Sequence, residues 1–158
     1  MRIAAHLEKV RRLDAVRRRL DPIEDFELWF WMSMSGGTHA LNAALHQVGA
    51  TDDGDYFCTQ SADVYLEAGD SPGTWKHALR FGCDIVHVGM PKVDAPIPPE
   101  LEQACNAMMV LEEIRDPYVR GDDAVTPSVV ARVDKAYQDC LRLTGQVLAM
   151  PAKGRSSS

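Results

Sequence analysis

Between Leu28 and Thr51 the chain contains no Asp, Glu, Lys or Arg. The run is not a bilayer span, because it holds Ser33, Ser35, Gly36, Gly37, Thr38, His39, Asn42, His46 and Gln47. A spanning helix needs about 20 predominantly apolar residues, and that many polar groups in lipid would each need a partner. The run therefore reads as a helix with too little charge to face water on any side, and such a helix is buried on all of them. One small bundle rarely encloses a helix completely, so a second copy of the chain is the expected cover.

The chain has 158 residues, enough for one domain with a core of its own. Cys58, Cys83, Cys105 and Cys140 are far apart and form no C-x-x-C pair. Zinc and redox frameworks use close pairs, so four free thiols in a reducing, cytoplasmic compartment are expected. The opening residues MRIAAHLEKVRR hold no apolar run of signal-peptide length. Residues 1–20 carry seven basic and two acidic side chains, whereas the rest is acidic enough to bring the whole chain to −6. This balance argues against a general nucleic-acid binder, and with no segment that spans a bilayer no membrane partner is expected.

Ile3, Leu7, Val10, Leu13, Val16 and Leu20 recur at helical steps, predicting a first helix over 3–20. Asp21-Pro22-Ile23-Glu24 is a helix-start signal, and Gly49 is a left-handed stop, so a second helix is expected over 22–48. Its core stripe is Ile23, Phe26, Phe30, Met34, Gly37, Leu41, Ala44 and Val48; its other face carries Leu28, Met32, Ser35, His39, Asn42 and His46. Gly36-Gly37 costs helix stability and implies a kink or a neighbouring backbone packed closely there. Residues 50–99 are irregular. Tyr56 to Ala68 reads as a short helix or irregular segment, Trp75 to Phe81 as a short helix, and Asp84 to Val88 as a strand or an extended crossover. Pro91, Pro96, Pro98 and Pro99 keep 91–99 extended. A third helix starts after Pro99 and runs to about Asp116, where Pro117 stops it, and a fourth runs from Pro127, capped by Thr126, to about Ala149. The fourth has the cleanest stripe: Val129, Val133, Ala136, Tyr137, Cys140, Thr144 and Val147. The fold expected is mainly all-α, an antiparallel four-helix bundle occupying 1–150 with a long insertion at about 50–99, followed by a disordered tail at 151–158.

Three constellations could carry chemistry. His39 and His46 stand two turns apart on one face, about 10 Å along the axis, too far to share one metal ion. A third ligand from another helix would be needed, for which Glu112 is a candidate, so no metal and no cofactor is assigned. Trp31, Ser35, His39, Asn42 and His46 line a face suited to a small-molecule pocket or an interface. Arg17, Arg18 and Arg19 lie with Lys9, Arg11 and Arg12 on one polar face, which is either solvated or an anion site. Arg80 and His87 have a spacing found in some nucleases, but chance supplies about one such pair in this composition. No phosphate loop, dinucleotide fingerprint or nucleophile elbow is present.

The leading functional reading is a cytoplasmic homo-oligomeric binding or interaction module centred on the Trp/His face of helix 22–48. The other readings are an enzyme using His39, Asn42 or His46 between helices, and an anion or nucleic-acid binder on the arginine face of helix 3–20.

Overall fold

The computed structural model describes residues 1–54, 56–58, 64–79, 84 and 96–151. Four long helices dominate: α1 (Ile3–Arg17), α2 (Phe26–Gln47), α3 (Pro99–Arg115) and α4 (Pro127–Leu148). α2 packs against the other three, and α3 pairs with α4. The architecture is the antiparallel bundle with an insertion between the second and third helices.

Local signals explain most boundaries. Asp21 Oδ1 accepts from the backbone N–H groups of Ile23 and Glu24 at 2.8 and 3.0 Å. It caps a turn over 22–25, so α2 starts at Phe26 rather than Pro22. Gly49 takes φ of 71°, and Ala50 N–H returns to Leu45 O at 3.0 Å, closing the helix end. Pro99 opens α3 at its first position. Pro117 does not end the chain's helical path but sits in a single wide turn, Asp116–Arg120. Thr126 Oγ1 accepts from Val129 N–H at 3.4 Å and caps α4 as expected.

The insertion departs from expectation. It holds a three-stranded antiparallel sheet of β1 (Tyr56–Cys58), β2 (Val64–Ala68) and β3 (Trp75–Leu79), in that order. Phe57 stands opposite Leu66, and Leu66 opposite His77. The helix expected over Trp75 to Phe81 is therefore a strand through Leu79. The Asp70-Ser71-Pro72-Gly73 turn signal joins β2 to β3, with Gly73 at φ of 75°. The strand or crossover read over 84–88 lies outside the described residues apart from Asp84, as do 91–95 and the tail beyond Pro151.

The core is formed by α2, α3 and α4. Phe30, Leu41, Leu45, Leu101, Met108, Leu111, Tyr137 and Val147 are completely buried or nearly so. Every expected core position of α4 is buried. In α2 the stripe holds from Phe26 to Ala44, but Ile23 is exposed. A Cβ on Gly36 would lie 2.8 Å from Tyr137 Oη, and one on Gly37 would collide with Met108 Sδ. The paired glycines thus admit side chains of α4 and α3 rather than a neighbouring backbone. Ala40 to His46 is buried throughout within one chain. Earlier in the same uncharged run Leu28 is exposed and Trp31, Met32, Ser35, Thr38 and His39 are half-buried. Cys105 and Cys140 are buried free thiols. Burial pushes Cys105 up to about 11 and Cys140 far above the ordinary thiol range, so neither is a reactive thiolate.

Candidate functional site

α1 meets α2 through an unexpected stripe. Its only fully buried residues are His6 and Arg17, eleven residues apart and so on one face. Leu7, expected in the apolar stripe, is 41% exposed.

At the start of α1, the His6 ring lies between His39 and His46 of α2, with ring centroids 5.1 and 5.3 Å away. His39 and His46 are two turns apart, as the sequence placed them. A histidine of another helix fills the space between them. Nδ1 of His6 is 2.9 Å from Nδ1 of His39. Asp84 completes the cluster from the insertion: its Oδ1 lies 2.9 Å from Nε2 of His46 and 3.4 Å from Nε2 of His6. The Met1 amino group donates to both Asp84 oxygens, at 2.8 and 2.9 Å. The left-handed stop at Gly49 folds Thr51 back over the helix end, bringing its Oγ1 to 2.8 Å from Nδ1 of His46.

The cluster is buried. The Asp84 and His46 side chains are 0% exposed and that of His6 1%, while His39 is half-buried. Burial alone would raise the Asp84 pKa; contacts from His46, His6 and the Met1 amino group outweigh it and hold the carboxyl well below its usual range. Burial lowers the His6 pKa, and Asp84 only partly opposes this. Burial, followed by the His6 and Lys9 charges, lowers His39 to about 4. His6 Nε2 is buried with no well-formed hydrogen bond. Its nearest acceptor is Oδ1 of Asp84, at 3.4 Å, so the nitrogen is only weakly partnered.

His6, His46 and Asp84 each offer one donor atom, and the three lie within 4.8 Å of one another. Tetrahedral ligands at about 2.0–2.2 Å from one ion stand roughly 3.3–3.6 Å apart, so small side-chain shifts would bring the three donors to one ion. The donor set is two imidazoles and one carboxylate. Glu112, the sequence's candidate for a further ligand, instead pairs with Arg115 on its own helix.

The remaining expected site residues are dispersed. Asn42 is buried within α2, and Ser35 is half-buried one turn before His39. Trp31 packs edge-on against Phe30 and lines a shallow groove with Glu24, Asp25, Phe26, Glu27 and Leu28, about two turns before His39 and four before His46. Arg17 corrects the arginine-face reading. It is 5% exposed, donates to Ser33 Oγ at 2.7 Å and to Asp134 at 2.6 Å, and stacks over Trp29 and Tyr137. Its place on the inward face, in register with His6, removes it from solvent. Arg18 pairs with Asp14, while Arg11 and Arg12 share Glu8, leaving Arg19 exposed. Arg80 and His87 lie outside the described residues. Among described helices none is long and apolar enough to cross a membrane.

Reasoning from the sequence missed His6 and Asp84. The first had a signal, the eleven-residue spacing to Arg17; the second had none, standing alone in an unreadable segment. Comparison with family models, curated proteins and solved structures gives no match for the chain.

Proposed function

We propose that this protein is a metal-binding helical bundle in which His6, His46 and Asp84 hold one divalent transition-metal ion. The observation that carries the reading is the convergence of three buried donor atoms from α1, α2 and the insertion. The approach of Nε2 of both His6 and His46 to the same Asp84 oxygen supports it. Two imidazole nitrogens with one carboxylate suit Zn²⁺, Fe²⁺ or Co²⁺ and disfavour Mg²⁺ and Ca²⁺, which prefer all-oxygen sets. Bound there, such an ion would act as a Lewis acid. The chain's own contribution is to fix three donors in a dry setting and to join two helices and the insertion at one point. The reading narrows the binding-module expectation to one ligand class and moves its centre from the outer face of α2 to the α1–α2 junction.

The test is thermal melting in Zn²⁺ against melting in a chelator. An ion that binds only the folded chain at a hundred times its Kd stabilises by about 2.7 kcal/mol. Wild type is expected to melt higher in Zn²⁺, and His46→Gln and Asp84→Asn to lose the increment. Equal melting in Zn²⁺ and chelator would make the cluster a polar clamp instead, with the Met1 amino group as the cation on Asp84.

A further inference from the structure

Resting on the metal reading, a constraint on protons follows. To ligate through Nε2, a neutral imidazole must keep its single proton on Nδ1. In the observed arrangement Nε2 of His46 faces Oδ1 of Asp84 at 2.9 Å. An ionised carboxylate only accepts, so this nitrogen carries a proton and donates it. In the neutral ring Nδ1 then accepts from the Thr51 hydroxyl, 2.8 Å away. Ion binding reverses both roles.

Thr51 is chemically suited to that reversal. Its hydroxyl is buried and can donate or accept by turning its O–H bond. A carboxylate in its place could only accept, and a lysine only donate. His6 has the same provision on its outer nitrogen, because Nδ1 of His39 stands 2.9 Å from its own Nδ1. A neutral His39 can offer that nitrogen as donor or as acceptor. Each of the two candidate imidazole ligands therefore has a reversible partner on the nitrogen that faces away from Asp84. Outer partners of this kind orient a metal-bound histidine and fix its tautomer.

We propose that Thr51 and His39 are positioning residues that let His46 and His6 change from an Asp84-facing tautomer to a metal-ligating one. As the ion enters, the Nε2 proton of His46 passes to water and a proton from water takes its place on Nδ1, so the neutral ring keeps its charge. Thr51 Oγ1 turns from donor to acceptor. Asp84 Oδ1 gives up its contacts with His46 and the Met1 amino group to hold the ion, while Oδ2 keeps the Met1 amino group. His6 directs its Nδ1 proton to His39, whose own proton stays on Nε2.

Thr51→Val removes the hydroxyl at nearly constant volume. Competition with a chromophoric chelator should show its Zn²⁺ affinity falling roughly 10- to 100-fold, while Thr51→Ser restores wild-type affinity. His39→Leu should weaken binding in the same way. In the Zn²⁺-loaded wild type, two-bond ¹⁵N–¹H NMR of the imidazoles should place the proton on Nδ1 in both His6 and His46. That spectrum decides the matter even where a variant fails to fold. Equal Zn²⁺ affinity in wild type and Thr51→Val, or an Nε2-protonated His46 in the loaded protein, would overturn the assignment and leave the metal site standing. A wild type that binds no Zn²⁺ would remove the metal reading and this one together.

Discussion

Oδ1 of Asp84 lies 2.9 Å from Nε2 of His46, although the residues are 38 positions apart. The contact fastens a point of the insertion to the closing turn of α2. It places a fully buried carboxylate beside two imidazoles and the Met1 amino group. Removing one partner of such a pair leaves the other buried and uncompensated, which costs more than the pair itself contributes.

Arg17 should prove structural. Arg17→Met keeps the stem but loses bonds to Ser33 and Asp134 and the stacking on Trp29 and Tyr137. A loss of about 2–3 kcal/mol in urea unfolding is expected, since cation–π and charge-assisted bonds at a desolvated site are both removed. Exposed Arg19→Gln should stay within about 0.5 kcal/mol of wild type. Equal stabilities for the two variants would contradict the placement of Arg17 on the inward face.

The glycine pair should split. At Gly36 a methyl meets the ring and hydroxyl of Tyr137, a rigid and completely buried side chain. Overpacking of that kind costs about 1–3 kcal/mol, more than the helix gains from alanine. At Gly37 the obstacle is the flexible end of Met108, which can turn aside. Chemical denaturation should therefore rank Gly36→Ala well below Gly37→Ala, and the reverse order would show that α4 does not approach α2 there.

Metal-free stability should depend on pH through the histidines. His39 is lowered to about 4 and His6 is lowered too, from an ordinary value of 6.5. Between about 4 and 6.5 the unfolded chain binds more protons than the folded one, so acid favours unfolding. Stability is then full above pH 6.5 and declines as pH falls toward 4. Melting temperatures in chelator should follow that course, with a shallower decline in His39→Gln. A flat profile from pH 7 to pH 4.5 would mean that the rings are not buried as neutral groups.

The parts of the fold legible in the sequence are those governed by local chemistry. Thr126-Pro127, Pro99 and Gly49 act within one turn of themselves, and the α4 stripe buries as written because every inward position is apolar or small. α1 is misleading in sequence for the opposite reason. Two of its inward positions are His6 and Arg17, so apolar periodicity alone points Leu7 inward, where the structure exposes it. Trp75 to Leu79 has no periodicity long enough to separate helix from strand; pairing with β2 decides it. His39 and His46 were visible as a pair on one face, but His6 and Asp84 reach them through tertiary contacts that no spacing encodes.

The central claim is that His6, His46 and Asp84 are ligands, and the most direct measurement is zinc K-edge X-ray absorption of the wild type loaded with one equivalent of Zn²⁺. The account predicts a nitrogen and oxygen shell at about 2.0–2.2 Å with the outer scattering of two imidazoles, lost in the His6→Gln, His46→Gln double variant. A spectrum of hydrated zinc, or one unchanged in the double variant, would contradict it.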